Sequence, residues 1–162
     1  MSRFRMAILL ALVAIAALPT SAHARRIAYC HLFSPESVGR AVDYRGITVR
    51  GQETAAPSLT RAAGTMSVCD FWSGRDQVAE STVMTFATAA EAAKQFKLQI
   101  TNRKVDHPHR ITGPWRRAYT ISNGEVFVLD GRHIFHIGYQ VRTSKTTKRA
   151  TINIAKTAAR KL

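Results

Sequence analysis

The sequence predicts an α+β fold: an antiparallel sheet of about five strands, a hairpin plus a three-stranded meander, with helices packed on one face. Residues 115–141 carry the first sign, three strand-like runs joined by the dipeptides Asn123-Gly124 and Asp130-Gly131. Asn, Asp and Gly accept the positive φ that two-residue hairpin loops require, so these pairs are strong turn signals. The second sign is another pair of strand-like runs, residues 65–72 and 78–86, around the turn Ser73-Gly74-Arg75-Asp76. The third is two helical patterns, opening near Thr88 and Ser144, that follow runs of strands instead of alternating with single ones.

Taken in order, the chain opens with Arg3 and Arg5, an apolar run over residues 6–18, Pro19 and the small-residue motif Ala22-His23-Ala24. This is the pattern of a secretory signal peptide cut after Ala24. The apolar run is about a dozen residues long, short of the roughly 20 that span a bilayer as a helix. Residues 25–162 are then expected to form one α+β domain, periplasmic or secreted, large enough to bury a core of its own. Cys30 and Cys69 are its two cysteines, and an oxidising compartment favours joining them.

Ser34-Pro35-Glu36 combines a capping hydroxyl, a proline at the first helical position and an acid in the first turn, which predicts a helix of one to two turns ending near Gly39. Residues 41–64 contain a possible strand at Ile47-Thr48-Val49 and otherwise predict an exposed loop. Thr88-Ala89-Ala90-Glu91 fits a capping box, opening a helix to about Arg103 with Ala89, Ala92, Ala93, Phe96 and Ile100 on its buried side. His107-Pro108-His109 ends that helix and begins a linker into the meander. In the last run of the meander Phe135, Ile137, Tyr139 and Val141 share the face expected to be buried, while Ile134, His136, Gly138 and Gln140 share the other. After Thr143-Ser144 an uninterrupted cationic helix runs to about Arg160, with Ile152, Ala155, Ala159 and Leu162 as its apolar stripe.

Charge is unevenly placed. Residues 25–93 hold seven basic and seven acidic side chains, whereas residues 94–162 hold fifteen basic ones against Asp106, Glu125 and Asp130. Within residues 25–162 the second half therefore carries the entire surplus of twelve positive charges, which favours attraction to an anionic partner. Lys145, Arg149, Lys156 and Arg160 fall on one helical face, and with Arg116 and Arg117 they are the predicted contact surface.

Cys30-x-Leu32-x-Ser34-x-Glu36-x-Val38-Gly39, Cys69-x-x-Trp72, the alanine-rich helix with Phe96, and Gly113 before the meander resemble the small exported two-cysteine α+β proteins. That group is typified by the extracellular sensor domain of a mycobacterial serine/threonine kinase and by related lipoproteins of unknown function. The resemblance implies an antiparallel sheet with flanking helices, a structural disulfide, and a ligand-sensing or interaction role with no catalytic residues. This chain departs from the pattern in lacking a cysteine at the cleavage site and in being strongly basic.

His107 and His109 share a loop with Asp106, a spacing open to zinc or copper, but a polar loop holding two histidines is the simpler reading. No GxSxG elbow, HExxH helix or glycine-rich phosphate loop occurs, so neither catalysis nor a cofactor or metal is predicted. Cations interleaved with Trp115, Tyr119 and Tyr139 would suit nucleic acid, but export removes that partner. The predicted role is a non-catalytic binding module, an inhibitor or immunity-type protein capping an acidic protein, or alternatively a holder of anionic envelope polymer or lipid head groups. A small hydrolase is the remaining reading.

Overall fold

The computed structural model describes residues 29–55, 64–141 and 144–162. The predicted signal peptide lies outside them, as do residues 56–63 of the predicted exposed loop. Three helices, α1 (Pro35–Val42), α2 (Ala89–Asn102) and α3 (Lys145–Ala159), accompany seven strands. The strands are β1 (Ile47–Ala55), β2 (Gly64–Ser73), β3 (Asp76–Phe86), β4 (His109–Ile111), β5 (Arg117–Thr120), β6 (Val126–Asp130) and β7 (His133–Tyr139).

The helices begin where short polar side chains satisfy their free amides. Ser34 caps α1 by accepting from the Ser37 amide, with Pro35 at the first helical position. Thr88 and Glu91 form the expected reciprocal capping box on α2. Ser144 and Thr147 form an equivalent one on α3, using a threonine hydroxyl in place of the usual carboxylate. Gly39 does not end α1. It lies buried within the helix, where a Cβ would come within 2.6 Å of the Tyr44 carbonyl, and the chain leaves α1 through Asp43 in the left-handed region.

The strands form one antiparallel sheet in the order β1-β2-β3-β7-β6-β5-β4. It has seven strands where about five were expected, and both additions are edge strands. β1 extends through Gly51, Gln52 and Glu53, all exposed, and β4 lies within the predicted linker. An edge strand is hydrogen-bonded on one side only and is little buried, so its sequence need not alternate and its polar composition resembles a loop.

Helices cover both faces of the sheet, not one as expected. One core gathers Leu32, Phe33 and Val38 from the region of α1, Ile154, Ala155 and Ala158 from α3, and Phe71, Val83, Val126, Val128, Phe135 and Ile137 from the sheet. The opposite core packs Ala92 and Phe96 of α2 on Met84, Phe86, Phe127, Leu129 and Ile134. β6 shows the cause, because Val126-Phe127-Val128-Leu129 sends alternate apolar side chains into the two cores. A continuous apolar strand is the mark of burial on both sides. On β7, Phe135, Ile137 and Tyr139 are buried as expected and Ile134 is fully buried against α2, while Val141, beyond the strand's end, packs partly.

The stripe predicted for α3 is also rotated. Its buried side chains are Thr147, Thr151, Ile154, Ala155, Ala158 and Ala159, whereas Ile152 is half-buried and Leu162 is exposed. Cys30 and Cys69 are bonded, with Cα atoms 5.6 Å apart, which ties the helical turn Cys30–Leu32 to β2.

Both turns of the meander lie near the predicted dipeptides but are built differently. Between β6 and β7, Asp130 pairs with His133 around Gly131-Arg132, with φ +53° at Gly131. Between β5 and β6 the Gly124 amide donates to the Ile121 carbonyl and Gly124 has φ +89°, so the loop is one residue longer. A three-residue loop of this kind places a glycine in the left-handed position as a bulge. Neither Asn123 nor Asp130 has a positive φ.

Candidate functional site

Two regions of the molecule present organised polar chemistry, and they lie on opposite faces of the sheet. The first is the predicted basic surface. Lys145 and Arg149 are exposed on α3, Arg160 is exposed at its C-cap, and Lys156 is half-buried. At 100° per residue the four lie within about 60° of one another around the helix axis and extend over about 22 Å. α3 contains no acidic residue, and among the described residues none of its cations takes part in an ion pair. Exposed Arg40 on α1, which packs beside α3, and exposed Lys161 add to the positive charge on this side.

The two remaining predicted residues do not belong together. Arg117 pairs with Leu129, whose side chain enters the core beneath α2, while the next pair, Ala118 with Val128, faces the α3 core. Side chains alternate along a strand, so Arg117 points away from α3. The six-residue surface is therefore divided by the sheet. Arg116 is exposed in the loop between β4 and β5.

The second region is a cleft of about 260 Å³ between the last turn of α2 and the sheet. Gln99, Asn102 and Arg103 form its helical wall, Thr82 and His136 come from the paired strands β3 and β7, and Met84 and Phe127 form its apolar part. Glu125 organises it. Its Oε2 lies 3.1 Å from His136 Nε2 and accepts from Arg103 Nη1 at 3.4 Å, while its Oε1 accepts from Asn123 Nδ2 at 2.6 Å. Arg103 Nη1 is also 3.8 Å from Asp106 Oδ2. The His136 ring stacks on Phe127 with centroids 4.5 Å apart, and the Arg103 guanidinium lies 4.8 Å from the centre of the same ring.

Burial raises the pKa of the Glu125 carboxyl, but the His136 hydrogen bond and charge, with Asn123 and Arg103, outweigh it, so the group sits below the ordinary carboxylate range. Gly138 makes the contact possible. A Cβ there would lie 2.9 Å from Glu125 Cγ and 3.1 Å from His136 Nε2.

The cleft was partly legible in the sequence. A hairpin that pairs Asp130 with His133 must also pair Phe127 with His136 and set Glu125 opposite Gly138, one diagonal step from His136. Arg103, 22 positions before Glu125 in the chain, has no such local signal.

His107 and His109 stay exposed in the structure, and among the described residues no three His, Cys, Asp or Glu side chains gather as a metal site. No described helix is long and apolar enough to cross a membrane. Comparison with protein-family models, with curated proteins and with solved structures finds no match for this chain.

Proposed function

We infer that the protein is an exported, non-catalytic binding module that docks on an anionic partner through the outward face of α3. The observation that carries this reading is a row of four cations on a helix with no acid of its own, none of them held in an ion pair among the described residues. Packing does not explain them, since α3 buries the opposite side through Ile154, Ala155 and Ala158. An intramolecular disulfide supports export, because such bonds persist in oxidising compartments. Arg117 is excluded from the surface by its direction. An acidic protein and an anionic envelope component both fit the charge.

Exposed charges are screened beyond roughly 8 Å at physiological ionic strength, so attachment of this kind weakens as salt rises. The test is retention on polyglutamate resin and on phosphatidylglycerol vesicles, comparing the native chain with Lys145→Glu/Arg149→Glu/Arg160→Glu. All three positions are exposed, so the variant should melt with the native chain. The expected result is salt-sensitive retention of the native protein and none of the variant, with the better support identifying the partner class. Equal retention and equal salt dependence of the two proteins would reduce the face to a solubilising one.

A further inference from the structure

The cleft beneath α2 lies across the sheet from α3 and plays no part in the reading above. We propose that it binds a small neutral polyhydroxylated molecule, a saccharide unit, between Arg103, Asn102 and Gln99 on one side and Thr82 and His136 on the other. The charges of the cleft compensate one another. Arg103 is already matched by Glu125 and Asp106, and Glu125 in turn holds His136 and Asn123, so the cleft has no unpaired arginine left to select an anionic ligand.

The hydrogen-bonding groups of the cleft suit hydroxyls as well. The Gln99 and Asn102 carboxamides each donate and accept, as a ring of adjacent hydroxyls does, while the Thr82 hydroxyl, which donates to Glu80 Oε1 at 3.4 Å, can still accept, and His136, with Nε2 held by Glu125, offers Nδ1. Arg103 makes both of its ion-pair contacts through Nη1, which leaves other guanidinium N–H groups to serve as donors. Gln99 adds an unmet need: among the described residues its Nε2 reaches only Met84 Sδ, at 3.7 Å, and its buried Oε1 has no partner. A donor that satisfied this oxygen would recover the free energy lost by burying it unpaired.

The cleft is also preorganised. Phe127 and Glu125 hold Arg103 and His136 in place before any ligand arrives, so little ordering remains for binding to oppose. Met84 lines the apolar part of the cleft, where the C–H side of a sugar ring can rest, while Phe127 is buried with His136 and Arg103 against its ring. A volume of about 260 Å³ is slightly below the usual range for drug-sized ligands and limits the occupant to roughly one or two rings.

The experiment titrates glucose, galactose and N-acetylglucosamine, with glutamate and lysine as ionic comparators, into the isotope-labelled disulfide-bonded protein and follows its amide and side-chain NMR signals. At least one sugar is expected to give saturable shifts at Thr82, Asn102, Arg103 and His136, with affinity unchanged between low and high salt. Asn102→Ala, at an exposed position, should weaken that binding about 2- to 10-fold, the effect of one neutral hydrogen bond, without altering the melting temperature. The proposal is overturned if no sugar gives saturable shifts there, if glutamate or lysine binds in place of the sugars, or if Asn102→Ala binds as the native chain does. The salt-insensitive response of the cleft is independent of the salt-sensitive attachment assigned to α3, so either reading can fail alone.

Discussion

Glu125 shows how much one side chain can organise. It is half-buried, follows the left-handed Gly124, and crosses the bare Gly138 to reach His136 while drawing in Arg103 from the end of α2. Because its pKa is lowered in the fold, its contribution to stability is fully present above the unfolded value of about 4.5 and is lost as pH falls through the lower folded value. His133 also has a lowered pKa, first from burial and then from the Arg132 charge, with Asp130 opposing. As a base with a depressed pKa, it stays neutral in the fold while the unfolded chain protonates, so its contribution is lost as pH falls from about 6.5 towards its folded value. Acid unfolding should therefore start below about pH 6.5 and steepen below about 4.5. Glu125→Gln should flatten the lower part only, which urea unfolding across pH 3–7 would measure; an unchanged acid limb in the variant would show that the Glu125 network contributes nothing.

At the scale of the element, β7 is the strand on which both cores depend. It pairs with β3 on one side and β6 on the other, sends Phe135 and Ile137 towards α1 and α3, and sends Ile134 towards α2. Ile137 is fully buried and Gln140 is exposed. Ile137→Asp places an uncompensated carboxylate in an apolar core and should cost about 4 kcal/mol or more, enough to unfold a marginal domain. Gln140→Asp should change stability by less than about 0.5 kcal/mol. Denaturant midpoints compare them directly, and similar midpoints would mean that the register of β7 is wrong by one residue.

For the whole molecule, the disulfide joins two parts of the chain that no local element connects. It closes a 39-residue separation that contains α1, β1 and the β1–β2 connection. Chain-entropy reasoning assigns such a link about 4 kcal/mol, acting on the unfolded chain. Cys69 is buried in the core beneath α1 and α3, so Cys69→Ala preserves packing better than a polar replacement. Cys30→Ala/Cys69→Ala should unfold at clearly lower denaturant yet keep its native circular dichroism, because both cores are otherwise complete. Loss of folded structure in water would show that the cores alone do not hold the sheet together.

What the sequence determined by itself is what depends on near neighbours in the chain: three capped helices, the β2–β3 hairpin and the β5–β7 meander, the cationic face of α3, and the confinement of net charge to the second half. Caps, tight turns and alternation act over two to four residues, and their patterns survive without tertiary context. The cysteine pairing was inferred from compartment and count, which proximity along the chain does not encode. Only the tertiary structure decided that β1 continues past Val49, that β4 pairs at the far edge, and that helices cover both faces. It likewise decided that Arg117 is separated from α3 and that Arg103 meets Glu125 and His136 over one phenyl ring. Edge strands carry no apolar signature, and the direction of a side chain across a sheet follows from register. A meeting of residues 22 positions apart depends on how α2 docks on the sheet, which is a property of the packed molecule.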